Sequence, residues 1–360
     1  MKKKYTTMDI AHMLNVSRTT VSKALNNHPD IPEHTKKLVT ETALNLGYKK
    51  FLNAQPKDIN VRVSMVRHKQ DTRTIAFLIK STINIFQRGF WGDILRGVEE
   101  ASRHHGYQML FNYLSDEDLE QGRVPETITA LKPEGVVLAG ITRKEFARAL
   151  SRLEIPFVLI DGYYEERTNE MLCDSVLMES EQSTFELTSC LIEQNHREIG
   201  FIGDVSNCKS FMERWIGFKR AVTDAGFAVR RDYCLVEPSP DNYFKLPEIA
   251  SRLDSMPELP SAFVCANDLI AYHLIAYLEG KGLRVPQDIS VTGFDYMQQQ
   301  PDMAPIPLQL ATAEVSGMEI GSRAFEQLLW RFQHLDRPFE TVRVASRIIP
   351  GDSTGPCAGE

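Results

Sequence analysis

Residues 6–48 carry the pattern of a helix-turn-helix, the feature that most constrains this chain. Two short helices joined by a tight turn place polar side chains in the major groove of DNA. Thr6 and Asp9 have the spacing of a capping box for the first helix. Asn15 tolerates the left-handed backbone that the turn needs, and Ser17 can cap the second helix. The segment therefore indicates a small domain of the DNA-binding type.

The second helix separates apolar from polar residues. Val21 and Leu25 are four residues apart and are predicted to face the core. The residues left on the outer face can hydrogen-bond bases or phosphates; they are Arg18, Thr19, Ser22, Lys23 and Asn26. A third helix is predicted over 32–46, ending before Gly47. The alternative at this point is any three-helix bundle with a solvated polar face.

Charge divides the chain into two unlike parts. Residues 1–73 hold 14 lysines and arginines against 6 acidic residues, a balance of +8. Because the whole chain carries −7, residues 74–360 carry −15. A basic end on an acidic body indicates that only the end meets phosphate.

Other sequence signals narrow the class of protein. No apolar run reaches the ~18 residues of a membrane span, and no secretory signal follows the N-terminal lysines. The six cysteines are scattered, without metal-ligand spacing, which favours a reducing cytoplasm without disulfides or a zinc site.

Apolar runs alternate with helical patterns beyond residue 73. Strands are predicted at 75–79, 107–112, 135–138, 157–160, 198–202, 262–265 and 289–293. Helices are predicted at 91–104, 179–195, 214–225 and 268–281. This alternation predicts an α/β body with doubly wound parallel sheets, which bind ligands at the carboxyl ends of their strands. The last ten residues are expected to be a disordered tail.

The order of residues in both parts resembles the LacI/GalR (lactose/galactose repressor) family. The N-terminal matches are Thr6-x-x-Asp9-Ile-Ala, Val16-Ser17, Thr20-Val-Ser-Lys-Ala-Leu-Asn26 and Leu46-Gly-Tyr48. The body matches at Asn195 to Ile202, at Cys265-Ala-Asn-Asp268 and at Gly282 to Asp295. The resemblance implies an all-α helix-turn-helix head and a periplasmic-binding-protein-like body of two lobes.

The resemblance also suggests boundaries. We expect a DNA-binding domain at 1–50, a hinge or linker at 51–73, an effector-binding and dimerisation domain at 74–350, and a tail at 351–360. The lobes are expected at about 74–162 plus 296–325 and about 163–295 plus 326–350.

The resemblance assigns DNA contacts to Ser17, Arg18, Thr19 and Lys23, supported by Ser22, Asn26 and Thr35. Base preference is expected mainly at Arg18 and Thr19. The family's hinge helix wedges a leucine into the minor groove, but only Ala54 matches that pattern here, and Lys57 stands at the leucine position. Phe51 or Leu52 could replace the wedge; otherwise the linker is a flexible basic tether.

The cleft between the lobes is the expected effector site. Arg214 offers a fork of donors, and Asp295 and Asn267 end strands where they can bind a polar ligand. We expect Arg214 and Asp295 to hold the ligand from opposite walls. The resemblance adds Ser210, Asp161 and an aromatic, Phe90 or Trp91, of which one belongs to the core. Residues 241–244 are expected to supply another aromatic.

The resemblance and these residues predict a ligand-controlled transcriptional regulator that acts as a repressor. It is expected to be a homodimer in the bacterial cytoplasm, associated with the nucleoid, on an approximately palindromic operator. The effector is expected to be a sugar; the alternatives are a purine or another metabolite. An enzyme fused to a DNA-binding head is disfavoured, because the sequence has no GxxxxGK[ST] loop, no metal-spaced His/Asp set and no nucleophile elbow. No cofactor is expected.

Overall fold

The computed structural model describes residues 6–25, 28, 30–45, 73–81, 89–140, 143–163, 171–240, 243–297 and 306–357. The chain divides into two compact units, and the division falls after Lys69, inside the predicted linker. Of the sequence predictions, Asn26, Gly47 and the hinge residues 51–57 lie outside the described residues.

The described part of the N-terminal unit contains three helices, α1 (Thr7–Leu14), α2 (Arg18–Leu25) and α3 (Glu33–Asn45). The predicted capping box is confirmed: Thr6 and Asp9 each accept a hydrogen bond from the other's backbone N–H. Asn15 has the left-handed conformation with φ 51°. The Ser17 hydroxyl caps α2 by accepting from the Thr20 N–H over 3.0 Å. A small apolar core joins the helices; its buried members are Ile10, Ala11, Val21, Ala24, Val39 and Ala43.

The first lobe of the body is a six-stranded parallel sheet. In chain order its strands are β1 (Thr74–Lys80), β2 (Gln108–Leu114), β3 (Gly135–Ala139), β4 (Phe157–Ile160), β5 (Asp174–Met178) and β10 (Thr341–Val344). Their order across the sheet is β10-β5-β4-β3-β1-β2. Its helices are α4 (Phe90–His104), α5 (Asp116–Gln121), α6 (Glu126–Leu131), α7 (Lys144–Ser151) and α12 (Gly317–Gln333). Apolar clusters cover both faces of the sheet, as expected for a doubly wound fold.

The second lobe has a three-stranded parallel sheet in the order β6-β7-β8. These strands are β6 (Ile199–Ile202), β7 (Ala262–Cys265) and β8 (Ser290–Thr292). The helices are α8 (Glu181–Glu193), α9 (Lys209–Asp224), α10 (Leu246–Leu253) and α11 (Asp268–Gly280). A short antiparallel pair, β9 (Thr312–Glu314) with β11 (Arg347–Ile349), lies on the connections between the lobes.

All seven predicted strands are confirmed within two residues, but the predicted lobe boundaries are wrong. Strands β5 and β10, placed in the second lobe from sequence, pair with each other in the first lobe. Helix α12 also belongs wholly to the first lobe, where it packs on α4. The helices approach closely because the residues at the crossing are glycines: a Cβ at Gly97 would lie 2.2 Å from the Met318 carbonyl oxygen. Pairing between residues 166 positions apart leaves no local signal in the sequence.

The predicted disordered tail is also corrected as far as residue 357. Ser353 is fully buried, its hydroxyl accepting from the Ala311 N–H and donating to the Val291 carbonyl. The buried His196 ring contacts the Gly355 carbonyl oxygen at 3.0 Å. The segment is ordered because these hydrogen bonds attach it to the second lobe, although its composition resembles that of a loop.

Candidate functional site

Helix α2 presents the predicted DNA-contacting residues. Ser17, Arg18, Thr19 and Ser22 are exposed. Lys23 is half-buried, and its ammonium pairs with Asp30 over 3.0 Å. Thr35, on α3, is half-buried. Asn26 and Ala54 lie outside the described residues.

One cavity in the body brings all six predicted effector residues together. It encloses about 350 Å³ of empty space, part of it open to solvent. The first lobe contributes Phe90, Trp91, Asp161 and Met178, and the second contributes Asn207, Cys208, Ser210, Phe211, Arg214, Tyr243, Asn267 and Asp295. Several of these residues follow β4, β6, β7 or β8, at the carboxyl ends of parallel strands, where such folds bind ligands.

Arg214 lies in the second turn of α9, which begins five residues earlier than expected. Its guanidinium is buried and donates from Nη1 to the Ala266 carbonyl oxygen over 2.5 Å and from Nη2 to Oδ1 of Asp295 over 3.0 Å. Its Cζ lies 3.7 Å from the centre of the Phe294 ring, within cation–π range. Its Nε has no hydrogen-bond partner among the described residues.

Asp295 and Arg214 belong to the same lobe, so the expected opposite-wall arrangement is wrong. Arg214 follows β6, and Asp295 follows β8 in the same three-stranded sheet, which places the two side chains side by side. Burial raises the pKa of Asp295 to about 6, although the Arg214 charge lowers it. Behind Asp295, burial raises the pKa of Asp268 to about 8.

Asp161 links the first lobe to the second. Its Oδ1 accepts from the Ser210 N–H over 3.0 Å, and its Oδ2 accepts from the Ser210 hydroxyl over 2.7 Å. A carboxylate at a helix N-terminus is favoured by the free N–H groups and the helix dipole. Burial nevertheless raises the pKa of Asp161. Ser210 lies in the first turn of α9.

Aromatic rings from both lobes line the cavity. Phe90 and Trp91 both line it, contrary to the expectation that one belongs only to the core, and their ring centres lie 5.1 Å apart. Tyr243, in the stretch expected to supply an aromatic, also lines it. Asn267 caps α11 by accepting from the Ile270 N–H over 3.0 Å, so its side-chain oxygen is already engaged.

Sequence reasoning missed the remaining lining residues, Met178, Asn207, Cys208 and Phe211. Asn207 and Cys208 directly precede α9, so the prediction of a ligand loop after β6 could have included them. Met178 ends β5, a strand that was not predicted. Burial raises the pKa of the Cys208 thiol well above its ordinary value, which disfavours the nucleophilic thiolate.

The arrangement is suited to binding. Carboxylates, an arginine, an asparagine and aromatic rings can hold a hydroxyl-rich or planar polar ligand. No helix in the described part of the chain is both long and apolar enough to cross a membrane. Across those same residues, no group of three or more His, Cys, Asp or Glu side chains is placed to hold a metal ion.

Comparison with known proteins assigns both units. Residues 6–50 match the model described as bacterial regulatory proteins, lacI family, and residues 188–354 match that of the periplasmic binding protein-like domain. The chain is 29% identical over 299 residues to the probable HTH-type transcriptional repressor ExuR of Bacillus subtilis, with 81% of each chain covered.

Solved structures share the fold. The transcriptional regulator CelR in complex with cellobiose superposes with a TM-score of 0.68 at 20% identity, covering 97% of this chain and all of that one. The lac repressor dimer bound to operator and the anti-inducer ONPF superposes with a TM-score of 0.66 at 18% identity, covering 98% and 100%. With its helix-turn-helix head and two-lobed body, the chain belongs to the LacI family of DNA-binding transcriptional regulators.

Proposed function

We propose that this regulator is a homodimeric repressor whose affinity for an approximately palindromic operator is controlled by a sugar bound between the lobes. The observation that carries the proposal is the cavity between the lobes, with Asp161 on one side and Arg214 and Asp295 on the other. A ligand that contacts both lobes changes the balance between open and closed bodies, and so couples the cavity to operator binding.

The lining chemistry favours a sugar over an anionic metabolite. Asp161 and Asp295 are acceptors for hydroxyl groups, whereas Arg214 is the sole basic residue among the described lining residues and is already paired with Asp295. The aromatic rings of Phe90 and Trp91 offer apolar faces to a sugar ring. The cellobiose bound by CelR, a protein of the same fold, is consistent with this class. A planar base is the second candidate, since the same rings could stack on it.

The other features of the proposal follow from the role in transcription. A DNA-binding regulator works in the cytoplasm, at the nucleoid. Dimerisation matches a protein that reads two half-sites, because the symmetry of the operator mirrors that of the protein. The cavity is assigned to binding, and burial, which raises the pKa of the Cys208 thiol, disfavours a nucleophilic cysteine there.

A ligand screen by thermal unfolding tests the proposal, using cellobiose, ribose, glucose 6-phosphate and adenine. A ligand at 100 times its dissociation constant should stabilise the body by about 2.7 kcal/mol. We expect a neutral sugar to stabilise the body and to change the affinity of the protein for its operator. Deletion of residues 1–69 should abolish operator binding and preserve sugar binding. Stabilisation by adenine alone would support the second candidate, and sugar binding without any change in operator affinity would contradict the coupling.

A further inference from the structure

Helix α9 belongs to the second lobe, but its N-terminus is capped by the first. The N-cap residue, Cys208, makes no side-chain cap hydrogen bond. The Lys209 N–H donates to the Gly162 carbonyl over 2.9 Å, and the Ser210 N–H donates to Asp161. Both acceptors directly follow β4 of the first lobe. These two N–H groups have no partner within the helix, so they have a protein acceptor only while the lobes are closed, and water replaces it in the open body.

A second connection between the lobes lies along the same helix face. Glu213, three residues after Ser210, accepts two hydrogen bonds from Arg343, of 2.9 Å from Nη1 and 2.6 Å from Nη2. Arg343 lies in β10, at the edge of the first-lobe sheet, just before the chain crosses toward β11. Glu213 is not among the residues that line the cavity, and its side chain is only 11% exposed.

We propose that the Glu213–Arg343 ion pair is an inter-lobe latch that holds the body closed and positions Arg214, the next residue along α9, in the cavity. This inference rests on the proposed function, because an effector is the molecule that uses the closure. A bidentate arginine–carboxylate pair fixes direction as well as distance, so it restrains the rotation of α9 relative to β10.

The latch differs from a surface ion pair because one partner, Glu213, is largely buried, whereas Arg343 is half-exposed. Removing Arg343 leaves the Glu213 carboxylate poorly hydrated and takes away the positive charge that also interacts with Glu179 and Glu181. Separation of α9 from the first lobe would hydrate that carboxylate. Breaking the pair therefore lowers the free energy of the open body relative to that of the closed body.

Amide hydrogen exchange of the full chain tests the latch without any ligand. In Arg343→Gln and in Glu213→Gln, the amides of Lys209 and Ser210 should exchange roughly two- to thirty-fold faster, the range of effects seen for residues that modulate coupling. The amides of β6 and β7 should keep their wild-type rates. Arg343→Lys, which keeps the charge, should restore part of the protection. The matched control is Arg230→Gln, because Arg230 makes a bidentate pair with Asp232 inside the second lobe.

The outcomes separate the latch from the proposed effector. Unchanged exchange at Lys209 and Ser210, or equal acceleration throughout β6 and β7, would overturn the latch. Faster exchange at Lys209 and Ser210 alone would support the latch. This holds even if cellobiose and ribose do not bind the wild-type protein, because the absence of sugar binding would contradict only the proposal that the effector is a sugar. If either sugar binds, the Arg343→Gln protein should bind it more weakly, by a factor similar to its change in exchange.

Discussion

Arg214 donates to Asp295 over 3.0 Å within one lobe, so the arginine is held in place before any ligand arrives. The Ala266 carbonyl and the Phe294 ring hold the same guanidinium. A guanidinium has five N–H groups, and the two hydrogen bonds given above leave Nε without a partner among the described residues. The pair thus fixes the direction in which Arg214 offers its remaining donors to a ligand.

Replacing Arg214 and replacing Asp295 should lower the free energy of unfolding by different amounts. Arg214→Ala leaves Asp295 buried and unpaired, and we expect a loss of about 3–5 kcal/mol in the free energy of unfolding. The loss should shrink below pH 6, where Asp295 takes up a proton. Asp295→Asn keeps an acceptor for Arg214 and should cost less. Urea denaturation at pH 5 and pH 7.5 measures both variants; equal losses would contradict the assigned pairing.

Asp268 should make stability depend on pH. Its pKa is raised to about 8, whereas in the unfolded chain an aspartate titrates near pH 4. Between those values the folded protein holds a proton that the unfolded chain has lost, so the free energy of unfolding falls as pH rises, by up to about 1.4 kcal/mol per unit.

Asp268→Asn should remove this slope. The asparagine oxygen can still accept from the Met297 N–H, and its amide nitrogen can donate to the Thr312 hydroxyl, which in the wild type donates to the aspartate. Denaturation between pH 6.5 and 8 is the informative range, because Asp295 titrates below it. A slope that is the same in the variant and the wild type would refute the attribution.

Arg18 and Lys23 should contribute differently to operator binding. Arg18→Ala should relax preference at one base pair of each half-site, with a cost of about 1–3 kcal/mol. Lys23→Ala should weaken binding to all sequences and lower the salt slope by about 1. Because Lys23 is paired with Asp30, Asp30→Asn should have the opposite effect on affinity. The affinity of each variant for single-base operator variants, measured at several salt concentrations, tests these expectations. Losses of affinity that do not depend on sequence for both alanine variants would contradict the assignment.

The turn between α1 and α2 should accept glycine and reject a branched residue at position 15. Asn15 has φ 51° and ψ 43°, a left-handed conformation that costs about 1–2 kcal/mol for most side chains. We therefore expect Asn15→Val to destabilise the N-terminal unit by that amount and Asn15→Gly to leave it nearly unchanged. Thermal unfolding, and separately amide exchange in α1 and α2, would compare the two variants. An equal effect of both substitutions would exclude the conformational explanation.

Ser353→Ala should destabilise the second lobe although it lies near the C-terminus. The substitution leaves the buried Ala311 N–H without its acceptor and the Val291 carbonyl without the hydroxyl, at a cost of about 1–3 kcal/mol. The exposed Ser255→Ala is the control. Chemical denaturation of both proteins gives the difference, and a Ser353→Ala protein as stable as the control would mean that the segment adds no stability.

The sequence alone determined the local features, because a helix cap, a turn or a buried strand depends on residues within a few positions of one another. Thr6 with Asp9, Asn15 and all seven predicted strands are of this kind. The sequence also predicted six effector residues, through a family resemblance and their position after strands, and all six line one cavity. The tertiary structure decided which of them meet: Arg214 lies beside Asp295, while Asp161 reaches across to Ser210. Pairing of β5 with β10, burial of Ser353 and the link from Glu213 to Arg343 join segments more than 40 residues apart, where contact depends on packing of the whole body.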